Sequence, residues 1–340
     1  MPTFTAGALG VNFDQIDIAL LGVGQLSAAT ATSFVINSTG ETDQFFGSGF
    51  AFAAAAFPVS GTITEVVDTT AGVQNFDISG ISLPTATLAT WISTDDSTTA
   101  KLTIFGGSDV INGSDSRDLL RGYGGDDTMN GAGGDDFVDG GDGNNIIHGG
   151  LGNDVIVVSS GVNYLRGDEG DDQILGGIAF DDINGNMGND TLAGGVGDDW
   201  VVGGKDNDSQ SGDDGDDIVW GNLGNDTLDG GAGNDQVRGG QGDDILFGGP
   251  GNDFISGDRG NDTETGGTGT DIFHTFSGAG LDKVLDFNLA EGDRVMLDPG
   301  TTFTVSQVGA DTVIDMGNGD QMILVGVQMA TLTGSWIFGA

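Results

Sequence analysis

The sequence predicts an all-β protein whose middle half is wound as a stack of short-stranded coils between two β-rich end regions. Three observations carry this. An aspartate returns every nine residues from Asp109 to Asp271, and glycine and an apolar residue keep fixed places around it. The flanking segments alternate apolar and polar residues between turn residues.

The first region, residues 1–105, holds nine acids and a single base, Lys101, among many Ala, Thr, Val, Ile and Phe. "SFVINSTGETDQFFGSGFAF" reads as two strands about a turn at Ser38–Asp43, and "GTITEVVDTTAGVQNFDISG" as a hairpin turning at Thr69–Gly72. "LPTATLATWIS" suggests a short helix opened by Pro84, with Leu88 and Trp91 or Ile92 on one face. The apolar run Phe45–Val59 is too short and too interrupted by glycine and proline to span a membrane, and reads as strand or loop. Phe45, Phe46, Phe50 and Phe52 fit a core better than a contact patch.

The second region, residues 106–271, carries 35 of the 52 acids. Stepping by nine from Asp109 visits nineteen positions, of which seventeen are Asp and two, Asn145 and Asn163, are Asn. Two residues before each stands glycine, except at Ser116, Ala179 and Asp206; two residues after stands an apolar residue, except at Gln210 and Glu264. A disordered acidic linker needs no such phase. The glycines suit tight turns with positive φ, and the following residues a short strand with one inward apolar side chain. Leu120, Met129, Val138, Ile147, Ile156, Leu165, Ile174, Ile183 and Leu192 then line a narrow core. Two units, eighteen residues, close one coil, with turns alternating between two sides.

One buried apolar side chain per nine residues does not offset the entropy of ordering that backbone, so a ligand must supply cohesion. The available donors are carboxylates and turn carbonyls, hard oxygens that suit Ca2+ rather than zinc, copper or magnesium. A net charge of -43 with only nine Lys and Arg argues against nucleic acid and anionic lipid and for cations. With no cysteine there is neither a disulfide framework nor a thiolate site.

The units "GGAGNDQVR", "GGQGDDILF" and "GGPGNDFIS" resemble the RTX nonapeptide repeats, GGxGxDxUx, over about half of the chain. The resemblance implies a parallel β-roll holding one Ca2+ per pair of same-side turns, on the order of a dozen or more ions. The implied carboxylate ligands are Asp109, Asp118, Asp127, Asp136, Asp154, Asp172, Asp181, Asp190, Asp199, Asp217, Asp226, Asp235, Asp244, Asp253, Asp262 and Asp271. The implied turn carbonyls are those of Gly125, Gly134, Gly152, Gly170, Gly188, Gly197, Gly215, Gly224, Gly233, Gly242, Gly251, Gly260 and Gly269. The two Asn and the turn "SSGVN" predict a weak or empty site between Asn145 and Asn163. "GGKDNDSQS" makes the site at Asp208 doubtful.

The third region, residues 272–340, returns to strand texture in "DKVLDFNLAEGDRVMLD" and "DTVIDMGNGDQMILVGV". "GTDIFHTFSGAGLDKVLDFNLAEGDRVMLD" resembles the cap that follows RTX repeats in type I secreted proteins of Gram-negative bacteria. "TLTGSWIFGA" is compatible with the uncleaved C-terminal export signal of such proteins. The start, "MPTFTAGALG", lacks the features of a cleaved signal peptide. The resemblance implies that the chain stays unfolded where calcium is scarce and folds outside the cell, after passage through type I secretion machinery.

No G-x-S-x-G and no H-E-x-x-H is present, and the two histidines, His148 and His274, read as a turn residue and a strand residue. The expectation is a non-enzymatic structural protein of the cell surface or matrix that self-assembles. An adhesin using residues 1–105 is the alternative, and a secreted hydrolase with a hidden site the third reading, since carboxylates are in surplus.

Overall fold

In the computed structural model, the described residues are 107–339 together with the backbone of six earlier strands, Thr3–Ala6, Gln25–Ala29, Ser33–Asn37, Glu41–Phe52, Pro58–Thr70 and Val73–Pro84. The chain forms two compact units, Met1–Ser160 and Gly161–Ala340. The boundary falls inside the turn "SSGVN".

In the first unit, the strands from Gln25 to Pro84 pair antiparallel in succession. Asn37 opposes Thr42 and Thr70 opposes Val73, so both expected hairpins form. The expected helix after Pro84 lies outside the described residues; Pro84 itself ends a strand. Thr3–Ala6 pairs antiparallel with Val73–Pro84 and parallel with Val110–Asn112, the first strand of the repeat.

Between residues 110 and 275 the repeat strands pair parallel and the register advances by eighteen, apart from a one-residue shift at Gly141. Val110 lies beside Thr128 and Thr128 beside Ile146, while Leu119 lies beside Phe137 and Phe137 beside Val155. The second unit repeats the arrangement: Trp200, Ile218, Gln236, Phe254 and Ile272 form one row, and Thr191, Ser209, Thr227, Ile245 and Thr263 the other. The repeat in each unit is thus all-β and wound as a parallel solenoid.

Strand alternation explains the core. The residue two after each register position points inward, and Leu120, Met129, Val138, Ile147, Ile156, Leu165, Ile174 and Ile183 are fully buried, as the sequence requires. The two polar exceptions also point inward. Gln210 is buried with both amide atoms lacking hydrogen-bond partners, and Glu264 is completely buried.

The stacking does not stop at Asp271. Ile272–Thr275 pairs parallel with Arg294–Leu297, which pairs with Ile337–Phe338; Thr263–Gly269 pairs with Leu281–Val284, which pairs with Asp320–Leu324. These coils are lengthened by loops. Antiparallel strands Thr304–Val308, Asp311–Gly317 and Asp320–Leu324 then finish that side. Phe273, Phe287, Ile314, Met322 and Trp336 give this end a wider apolar core than the repeat has. No helix among the described residues is long and apolar enough to cross a membrane.

Candidate metal centre

The turns are built as the glycine pattern demands. Of the thirteen turn glycines implied as carbonyl donors, all but Gly251 have positive φ. A Cβ added to Gly233 would fall on the carbonyl oxygen of Gly215, so that turn accepts only glycine at this place. Ala179 and Asp206, which replace that glycine, keep the left-handed backbone at φ 81° and 73°.

The register aspartates are all buried, none more than 3% exposed. Their Oδ1 atoms form a ladder. The Asp217 N–H donates to Oδ1 of Asp235 at 2.8 Å, Asp235 to Asp253 at 2.9 Å, and Asp253 to Asp271 at 3.0 Å. On the other side Asp190, Asp208, Asp226 and Asp244 repeat the link, each N–H reaching the next carboxylate at 2.8–2.9 Å.

The second oxygen is different. In fifteen register aspartates, Asp109, Asp127, Asp136, Asp154, Asp172, Asp190, Asp199, Asp208, Asp217, Asp226, Asp235, Asp244, Asp253, Asp262 and Asp271, Oδ2 is buried with no hydrogen-bond donor. A buried carboxylate oxygen without a donor is costly, and here the cost recurs at each turn. Beside it lies a carbonyl. A Cβ on Gly230 would come within 2.6 Å of Gly248 O and 2.7 Å of Asp235 Oδ2; Gly194 is similarly flanked by Gly212 O and Asp199 Oδ2. Gly194, Gly212, Gly221, Gly230 and Gly248 thus each leave open a cradle in which a carboxylate oxygen and a carbonyl converge. Among the described residues no three acidic or imidazole side chains cluster. The carboxylate and carbonyl oxygens that meet in the turns are a hard-oxygen set that fits Ca2+.

Electrostatics agree. Burial, opposed by the ladder hydrogen bond and reinforced by neighbouring carboxylates, pushes Asp217, Asp244 and Asp253 up to about 7, Asp235 and Asp271 to about 6, and Asp208 to about 8. Ionised together, these groups need a positive partner. Glu264 is raised well above the usual carboxylate range, first through burial and then through the charge of Asp282, while its Oε1 accepts the Gly257 N–H at 2.8 Å.

The sequence singled out Asp208 as doubtful, yet its oxygens are placed like those of its neighbours. In Asp118 and Asp181, by contrast, Oδ2 accepts N–H donors from Ser114 and Gly177. Of the two residues about which a weak site was expected, Asn145 belongs to the first unit and Asn163 to the second.

Three features escaped the sequence reading. Gly194, Gly230 and their counterparts line the cradle. The register continues beyond Asp271, because Asp271 donates to Asp293 Oδ1 at 3.1 Å and Asp262 to Asp282 at 3.4 Å; spacings of 22 and 20 hide both from a nine-residue count. The third is a second ladder one residue before the register, where fourteen of nineteen positions are Asp or Asn. There Asn225, Asp243 and Asn261 each donate an N–H to the side chain eighteen residues earlier, at 2.8 Å. That ladder is solvent-exposed and points opposite to the buried one.

Outside the turns, a cleft of about 800 Å³ is lined by Lys205, Arg238, Arg259, His274 and Asp298, among others. Beneath it Ser256 Oγ lies 3.1 Å from His274 Nδ1, and His274 Nε2 lies 3.2 Å from Asp298. The row has the composition of a catalytic triad. Ser256 is fully buried, however, and its hydroxyl donates to Asp258 at 2.8 Å, so it offers no nucleophile to a substrate. His274 occupies a strand, as expected.

Comparison with known proteins agrees with the repeat geometry. The family model described as RTX calcium-binding nonapeptide repeat matches eight overlapping segments that together run from residue 103 to 273, half of the chain. The chain belongs to this family, whose repeats bind Ca2+. No curated protein matches it. Among solved structures, the R3 subunit of the Azotobacter vinelandii mannuronan C5-epimerase AlgE6 is 29% identical, over 34% of this chain and 78% of that one, with a TM-score of 0.28. The extracellular lipase LipA of Serratia marcescens is 18% identical, over 68% of this chain, with a TM-score of 0.23; this chain spans 40% of that lipase.

Proposed function

We propose that this protein is a secreted, non-enzymatic, calcium-binding structural component of a bacterial surface or extracellular matrix. It is exported unfolded by a type I machinery, folds outside the cell and assembles with its own copies. The fifteen buried carboxylate oxygens without donors support the folding reading most directly. Bound calcium supplies positive charge between stacked turns. The chain supplies the rest: the Oδ1 ladder orients each carboxylate, the glycines bring carbonyls alongside, and the apolar row excludes water.

Extracellular calcium modules bind with affinities of roughly 10⁻⁴–10⁻³ M, so such turns remain empty in a calcium-poor cytosol and fill outside. Binding to the folded state alone stabilises it by mass action. Assembly is favoured by apolar side chains on the outer faces, including Ile245, Phe247 and Leu223, each at least 39% exposed.

Far-UV circular dichroism with calcium and with EDTA tests the folding reading. The β signal is expected to collapse on chelation; a spectrum unchanged by EDTA sinks it. Gel filtration and electron microscopy of the calcium-loaded protein test assembly, which a strict monomer at high concentration contradicts.

A further inference from the structure

We infer that the register aspartates are of two kinds, and that Asp118, Asp181 and Asp293 take no calcium because their own turns already satisfy the oxygen that the others leave open. This inference rests on the calcium reading above. It parts from the sequence expectation, which treated Asp118 and Asp181 as ligands.

In Asp118, Oδ2 accepts the Ser114 N–H at 2.6 Å and the Ser114 hydroxyl at 3.0 Å. In Asp181, Oδ2 accepts the Gly177 N–H at 2.8 Å, while Oδ1 accepts both the N–H and the Nδ2 of Asn163. In Asp293, Oδ2 accepts the Asn288 N–H at 2.7 Å, and Oδ1 accepts the ladder N–H of Asp271. Each Oδ2 thus accepts a backbone N–H from four or five residues earlier. A cation reaching that oxygen must displace the N–H and leave it unpaired, which is unfavourable for a buried donor. It would also exchange a charge-assisted hydrogen bond already at good length.

The local sequence gives the cause. All three lack the glycine two residues before the aspartate, having Ser116, Ala179 and Glu291 instead, and the turn folds back onto its own carboxylate. Loss of glycine alone does not suffice, because Asp208 follows Asp206 and still has a free oxygen. The Asp118 and Asp293 turns lie toward the two ends of the repeat, and the Asp181 turn lies within it. The chain thus stops and interrupts its metal ladder with peptide donors.

The test uses the full chain saturated with calcium and freed of excess by gel filtration. Bound calcium is counted by elemental analysis, with circular dichroism as the fold control. Asp181→Asn and Asp293→Asn are expected to retain the parent count, whereas Asp235→Asn is expected to lose at least one ion. A folded Asp181→Asn or Asp293→Asn protein with fewer ions overturns the inference. Should those variants fail to fold, anomalous diffraction from the unmodified protein decides. Calcium peaks are expected at coordination distance, about 2.3–2.6 Å, from Asp217 and Asp235 and not from Asp118, Asp181 or Asp293. Peaks at the three capped aspartates overturn the partition alone; peaks at no aspartate overturn the calcium reading with it.

Discussion

At the scale of single residues, side chains of one type do different work depending on which atoms around them are left over. Asp235 and Asp181 look alike in sequence, yet a backbone N–H holds Oδ2 of Asp181 and no donor reaches Oδ2 of Asp235. Gln210 has the converse problem, a buried amide with no partner on either atom. Replacing it with leucine, the residue type of its stacked neighbours Leu192 and Leu228, is expected to stabilise the calcium-loaded protein by about 1–3 kcal/mol, read as a higher thermal midpoint. A lowered midpoint would show that the amide has a use the hydrogen bonds do not reveal. Which positions up to Asp271 belong to the ladder was legible in the sequence, since phase alone identifies them. Which oxygen each exposes was not, because the donors at Ser114 and Gly177 reach the carboxylate only through the closed shape of the turn.

At the scale of the element, one coil is a pair of turns and a pair of short strands sharing two apolar residues. Leu228→Ala is expected to cost about 2–5 kcal/mol in the loaded protein, measured by denaturant unfolding, because a narrow core collapses poorly around a hole. Gly233→Ala is expected to harm folding at least as much. It asks an alanine to adopt φ near 152° and to share space with Gly215 O. Asn234→Ala, on the exposed ladder, is expected to change stability by less than about 1 kcal/mol, since its lost acceptor is replaced by water. A Gly233 variant as stable as the Asn234 variant would refute the close-stacked turn. Strands, turn positions and inward residues were readable because a nine-residue unit fixes all three. The coils after Asp271 were not, because their register is kept in space by pairing while loops change its length in sequence.

At the scale of the whole molecule, the dominant fact is charge. A chain at -43 that buries carboxylates is at odds with itself without counter-charge. The pH dependence of the metal-free protein follows from the raised values. An aspartate at about 7 in the roll and near 3.8 in the unfolded chain leaves the roll holding more protons between those values. Its contribution is therefore most favourable to folding below about pH 4 and is lost as pH rises through about 7. Circular dichroism in EDTA is expected to show more β structure near pH 4 than at pH 7.5, and the reverse trend would mean the carboxylates are not buried. With calcium present the direction changes, because protons compete for the same oxygens and affinity falls as the medium is acidified. Trp336→Ala is expected to cost about 3–5 kcal/mol by opening the C-terminal core, with calcium affinity affected only through folding.

The sequence by itself determined the winding, its eighteen-residue coil, the inward row and the hard-oxygen chemistry, because each depends on residues a fixed number of steps apart. Only the tertiary structure decided which carboxylate oxygens remain free, how far the ladder runs past Asp271, and that Ser256 lies buried beneath His274. Those outcomes depend on atoms brought together across turns and between coils, where spacing along the chain no longer specifies distance.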